Sequence, residues 1–311
     1  MGKIQKQPEI GQVMTSIRQR VDDRLDRLVP DGGSRLESAM RYSLLGGGKR
    51  IRPAVTMIAA SNFGCDDDAA LDPACVIEMV HCAALIIDDL PSMDDAQLRR
   101  GQAANHCVWG EDIATLAGIG LLNRAYGVIG AAALPAETKA RLITTLADAV
   151  GAEGLVAGQE QDLHDTKDLS GVERLEELQH LKTGALFVAA AEFGAIVAGV
   201  DDERLAAVRE FSRLLGLAFQ ILDDLLDTLG ETAVIGKDVG KDEGRASFTS
   251  IMRPAEAQAR AERHVAAAIS AVAPFGSEGQ EFAALAEMVL HSHRERLGSA
   301  TPTGATATIN A

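Results

Sequence analysis

LAAVREFSRLLGLAFQILDDLLDTL (205–229) places Leu205, Val208, Phe211, Leu215, Phe219, Leu222 and Leu226 at steps of three and four. Side chains at that spacing share one face of a 3.6-residue repeat, so the stretch predicts a long amphipathic α-helix. Gln220, Asp223 and Asp227 fall on a second stripe, with Asp223 and Asp227 one turn apart. Similar periodicity covers 34–63, 72–90, 111–133, 136–163, 171–199 and 255–297, and no alternating strand pattern appears. Gly64 beside the Asp66–Asp68 run, Pro73, Pro135, Gly199 and Gly230 punctuate these helices, and the aspartate run itself reads as a solvated turn. No linker composition and no solenoid repeat interrupts the chain. The expectation is an all-α fold, one domain over 1–298, followed by a small, polar, disordered tail, SATPTGATATINA (299–311).

The composition suits that reading. Of 311 residues, 47% are hydrophobic and only 4% aromatic, so the core is built from small aliphatic side chains. Acidic residues outnumber basic ones 45 to 30, and a net charge of −15 argues against nucleic acid as a partner. Cys65, Cys75, Cys82 and Cys107 lie too irregularly for a metal site, so reduced thiols and a cytoplasmic location are expected. The first residues, MGKIQKQPEIGQ, lack the apolar run of a signal peptide. GALFVAAAEFGAIVAGV (184–200) carries Glu192 in its middle and falls short of the ~20 apolar residues of a membrane span. It reads as a buried helix, with no stable membrane insertion.

The chemistry concentrates in two acidic clusters, DDLPSMDD (88–95) and DDLLD (223–227), each beside apolar sequence. Like charges one turn apart repel unless a cation joins them. Oxygen donors without His or Cys select hard cations, Mg²⁺ above all, and carboxylates that leave coordination positions open suit a phosphate-bearing substrate. DDLPSMDD is no EF-hand, because it lacks the mid-loop Gly and the twelfth-position Glu. Basic residues sit where a phosphate would need them: Lys49, Arg50 and Arg52 in GGGKRIRP (46–53), Arg99 and Arg100 in LRRG, Lys182 and Thr183 in HLKTG, Lys237 and Lys241 in GKDVGK. Any one of them is equally a surface cation; Arg99, for example, lies four residues after Asp95. His81 lies seven residues before Asp88, about 700° of rotation and so on the same helix face. A core histidine is the competing reading there.

GGGKRIRP, DDLPSMDD with RRG, GQEQDL (158–163), HLKTGAL (180–186), FQILDDLLD (219–227) and GKDVGKDEG (236–244) together resemble the head-to-tail trans-prenyltransferases, or isoprenyl diphosphate synthases. The long first acidic motif is similar to that of the bacterial farnesyl and geranylgeranyl diphosphate synthases. The resemblance implies a single-domain antiparallel helical bundle around a central cavity (the isoprenoid synthase fold), usually a homodimer. It implies that Asp88, Asp94, Asp223 and Asp227 hold about three Mg²⁺ ions on an allylic diphosphate that Arg99, Lys182 and Lys237 also reach. Lys49, Arg52, His81 and Arg100 resemble the pocket for isopentenyl diphosphate, and Thr183 and Gln220 would turn oxygen dipoles toward an allylic cation. Asp94 is the family's choice, whereas an ideal helix aligns Asp88 with Asp95; Pro91 would distort the helix and bring Asp94 inward. Three positions depart from the family: Ile87 stands for a usual His, Arg245–Thr249 replaces Lys-x-Thr-Tyr-Pro, and Ala83 replaces an aromatic. With Ala84 beside it, Ala83 is expected to leave the cavity open below Asp88, which implies geranylgeranyl (C20) rather than farnesyl (C15) diphosphate as product. A terpene cyclase would not need the second set of basic residues, and a catalytically silent partner subunit would have lost an acidic cluster.

Overall fold

The computed structural model describes residues 9–29, 31–164, 171–229 and 247–300. The all-α expectation holds. The helices are α1 (Ile10–Leu28), α2 (Arg35–Leu44), α3 (Ile51–Asn62), α4 (Asp67–Asp88), α5 (Asn105–Trp109), α6 (Glu111–Ala131), α7 (Ala136–Val150), α8 (Leu155–His164), α9 (Val172–Gln179), α10 (Ala185–Ala198), α11 (Asp202–Leu229), α12 (Phe248–Ile251), α13 (Pro254–Val272) and α14 (Gln280–Ala300). A π-helical turn, His180–Gly184, joins α9 to α10. One hydrophobic core runs through the described residues from Ile17 to Val289.

Several long periodic stretches break where the backbone demands it. GGGK separates α2 from α3, with Gly47 (φ 89°) and Gly48 (φ 134°) in conformations that a Cβ disfavours. The pattern over 136–163 divides at Gly151–Gly154, and that over 255–297 kinks at Gly276 (φ 57°, ψ −117°). The Asp66–Asp68 run is not a free turn. Asp66 caps α4 by accepting from the Asp68 N–H at 3.0 Å, and Asp67 and Asp68 pair with Arg20 at 2.6 and 2.8 Å. α4 therefore starts five residues earlier than the periodicity suggests and carries Pro73 in its interior. Ser299 and Ala300 continue α14, and the rest of the expected tail lies outside the described residues.

α10 lies at the centre, packed on α3, α4, α7 and α11. It approaches α3 so closely that a Cβ on Gly194 would stand 2.2 Å from the Thr56 carbonyl oxygen, and the Thr56 hydroxyl donates to the Ala190 carbonyl at 2.8 Å. The apolar 184–200 stretch is accordingly buried among helices, and its Glu192 pairs with Arg209. Three helical segments (67–88, 111–131 and 172–198) are long and apolar enough to cross a membrane, but the first and last have 67% of their apolar windows inside the core.

Candidate active site

α4 ends at Asp88, before Pro91, instead of running through it distorted; the residue preceding a proline resists the helical conformation. The chain then folds back, with the Asp94 N–H donating to the Asp88 carbonyl at 2.9 Å. Asp94 thereby borders the same cavity as Asp88. Asp95 takes a left-handed φ of 47°, is exposed, and receives the Gln97 amide at 3.2 Å on its carboxylate. A two-residue hairpin follows, Leu98–Arg99 against Gln102–Ala103, which periodicity did not anticipate. Its turn residues Arg100 (φ 54°) and Gly101 (φ 78°) both have the positive φ that a tight type I′ turn requires.

The cavity, of about 490 Å³, is bordered by α3, α4, the hairpin, α8, the π-turn, α11 and α14. Its size is that of a small-molecule site. Asp88, Asp94, Asp223 and Asp227 border it together with Lys49, Arg52, His81, Arg99, Arg100, Lys182, Thr183, Gln220 and Ala84. Ala83 is buried but is not part of the lining, so only one of the two alanines expected to face the cavity does so. Lys237 and Lys241 lie outside the described residues.

Each cation is held by its surroundings. Arg99 pairs with the buried Asp89 at 2.5 Å and not with Asp95. Lys182 donates to Asp162 at 2.6 Å. Arg52 lies 4.3 Å from the centroid of the Phe187 ring and donates to His81 Nε2 at 3.4 Å, while its Nε has no hydrogen-bond partner among the described residues. Lys49 stands 5.6 Å from the Phe219 ring centroid. Burial lowers the Arg52 guanidinium to about 10, with Glu78 opposing and Arg100 adding to the fall. Burial and the surrounding arginines hold His81 neutral, well below its ordinary range.

Among the acids, burial pushes Asp88 up to about 6; Asp94 adds to the rise, and Lys182 and Arg99 oppose it. Asp224, the middle aspartate of DDLLD, is 7% exposed; it accepts from the Phe248 N–H and the Gln220 amide, each at 2.8 Å. Burial nonetheless raises it to about 7. Gln220 in turn accepts the Thr183 hydroxyl at 3.1 Å, so a hydrogen-bonded row runs from the π-turn through α11 to α12. The π-turn seats tightly on α8: a Cβ on Gly158 would lie 2.3 Å from the Lys182 nitrogen. Such insertions in helices recur at functional sites.

Sequence reasoning passed over Glu78, Asp89, Gln159, Asp162 and Arg296. Gln159 and Asp162 stand three apart in GQEQDL, on one face of α8, a spacing that could have revealed them. The Gln159 amide is buried against the cavity with neither polar atom hydrogen-bonded among the described residues. Arg296 comes from α14, too distant in sequence for any local signal.

A family model described as Polyprenyl synthetase matches residues 34–285. The chain is 40% identical to a geranylgeranyl diphosphate synthase of Pantoea ananas over 84% of its own length and 88% of that protein's. It is 38% identical to a farnesyl diphosphate synthase of Geobacillus stearothermophilus over 91% and 98% of the respective lengths. Among solved structures, the apo crystal structure of an FPP/GFPP synthase from Zymomonas mobilis superposes with a TM-score of 0.80 at 32% identity, covering 90% of this chain and 98% of that one.

Proposed function

The chain belongs to the polyprenyl synthetase family, and from that premise we propose that it elongates prenyl chains by joining isopentenyl diphosphate head-to-tail to an allylic diphosphate. The observation that carries the reading is one cavity bordered by both the aspartates of two motifs and the cations of GGGKRIRP and RRG. Two diphosphates need two sets of counter-charges; a single-substrate cyclase needs one.

Among the described residues no three acidic, His or Cys side chains converge enough to hold a metal alone. The donor set still fits a hard divalent cation shared with a diphosphate. Asp88 is partly buried at the cavity wall and desolvation raises its carboxyl, so its ionised form needs positive charge that Lys182 and Arg99 only partly supply. Asp88, Asp94, Asp223 and Asp227 would hold Mg²⁺, about three ions by family likeness, and the metal supplies electrostatic stabilisation of the leaving diphosphate. Lys182 and Arg99 bring fixed positive charge to the same group. The allylic C–O bond breaks, its electron pair leaving with the diphosphate. The isopentenyl double bond attacks the cation, the new C–C bond forms, and the proton lost from the adduct passes to diphosphate. Thr183 and Gln220 present oxygen atoms at this cavity, and Lys49, Arg52, Arg100 and neutral His81 form the second diphosphate pocket.

The small side chain of Ala84 at the wall supports a C20 product. Four unpaired cysteines suit a reducing cytoplasm, and an exposed apolar face on α6 supports a homodimer. The test is incubation with isopentenyl diphosphate, each allylic diphosphate and Mg²⁺. Pyrophosphate release is expected only with both substrates present, with loss on EDTA and recovery on excess Mg²⁺. Release from an allylic substrate alone would assign a cyclase, and no release in any combination would assign a silent subunit.

A further inference from the structure

Glu78 is a carboxylate with no part in the chemistry above, yet it sits in the wall of the cavity at 2% exposure. It lies on α4, one turn before His81 and ten residues before Asp88. Its Oε1 accepts from Arg50 Nη1 at 2.5 Å and from Arg100 Nη2 at 3.2 Å. The two arginines differ in what else they do. Arg50 is enclosed: its side chain is 1% exposed and also donates to Asp22 on α1 at 2.8 Å and to the Leu44 carbonyl at 2.9 Å. Arg100 is 21% exposed and borders the cavity. Its Nη1 donates to the Gly47 carbonyl at 2.5 Å, and its guanidinium lies over Gly48, where a Cβ would stand 3.0 Å from Cζ.

We propose that Glu78 is a positioning residue for the second diphosphate pocket: it clamps the Arg100 guanidinium against the glycine loop so that its remaining donors face the incoming diphosphate. The inference rests on the two-diphosphate reading above. Arg50, Arg52 and Arg100 crowd the same wall, and like charges at such range separate unless a counter-charge holds them. Glu78 supplies that charge from a rigid helix. An empty pocket is thereby already arranged for an anion, and binding need not first order a long cationic side chain.

The clamp predicts an effect on one substrate only. In Glu78→Gln, the KM for isopentenyl diphosphate rises about tenfold or more, the loss expected of a charged hydrogen bond, while the KM for the allylic diphosphate stays within about twofold. Glu78→Asp keeps the charge with a shorter reach and recovers part of the loss. Asp22→Asn removes the other carboxylate on Arg50 without touching Arg100, and leaves both KM values within about twofold. Equal rises in both KM values, or an Asp22→Asn effect as large as that of Glu78→Gln, would overturn the assignment. So would loss of the helical circular dichroism in both Glu78 variants, which would make the residue a fold element alone. A wild-type protein that performs no condensation removes the functional reading and this inference with it. A wild-type enzyme that condenses while Glu78→Gln keeps its KM for isopentenyl diphosphate removes only the role of Glu78.

Discussion

Ala83 and Ala84 are neighbours in sequence, but one step along a helix is about 100° of rotation, enough to give them different surroundings. Ala84 borders the cavity, whereas Ala83 is 5% exposed and its carbonyl lies 3.4 Å from where a Gly118 side chain would begin on α6. A phenylalanine at 84 therefore enters the space the growing chain would occupy. The expected outcome for Ala84→Phe is a main product at least one C5 unit shorter, read by chromatography of the dephosphorylated products. At position 83 the same ring meets packed core, and Ala83→Phe is expected to cost about 1–3 kcal/mol of stability, read from the urea midpoint. Shortening by Ala83→Phe without destabilisation would move the gate to that position. The Asp94 and Asp95 pair divides in the same way: a positive φ at Asp95 turns one carboxylate to solvent while its neighbour borders the site.

At the scale of elements, the site depends on how α9, the π-turn and α10 lie against α11 and α13. α9 is pinned to α13 by Glu176, whose Oε1 lies 2.6 Å from Arg260 Nε and 2.7 Å from His264 Nε2. The Glu176 side chain is 18% exposed. Burial would raise its carboxyl, but the His264 and Arg260 hydrogen bonds and charges prevail and bring it down to about 2. An unfolded glutamate titrates near about 4.3. A carboxyl depressed in the folded state stabilises the fold fully above that unfolded value, and the contribution fades as pH falls toward 2. Glu176→Gln is thus expected to lower stability by about 1–2 kcal/mol at pH 6, allowing for solvent screening. The gap in urea midpoint between the two proteins should narrow as pH falls below about 4 and close only on approaching pH 2, and a gap independent of pH would show that the pair carries no net charge stabilisation.

For the whole molecule, the outer face of α6 is the conspicuous surface. Its apolar window is only 39% buried, and Leu116 and Ile119 are 50% and 58% exposed, with Ile143 and Val156 also uncovered on α7 and α8. Exposed apolar side chains on the face of an otherwise acidic protein suit contact with a second copy. The double variant Leu116→Glu/Ile119→Glu is expected to halve the mass measured by light scattering. A wild-type monomer would remove the homodimer reading, and a dimer that survives both charges would place its contact elsewhere.

The helical class, the two acidic motifs and most of the cations were legible in the chain itself, because a 3.6-residue repeat and a run of aspartates are local patterns that need no partner to be seen. Helix ends were less legible: an aspartate run suits a solvated turn or a helix cap equally, and the pairing of Asp67 and Asp68 with Arg20, on another helix, left no local signal. The positions of Ala83 and Ala84, the exclusion of Asp95 and the recruitment of Glu78, Asp89 and Arg296 were decided by tertiary structure alone. Each depends on a backbone twist or on a neighbour brought from far along the chain, and such contacts leave no trace in the spacing of residues. Sequence determined which charges this protein carries toward a diphosphate; packing decided which way each of them points and what holds it there.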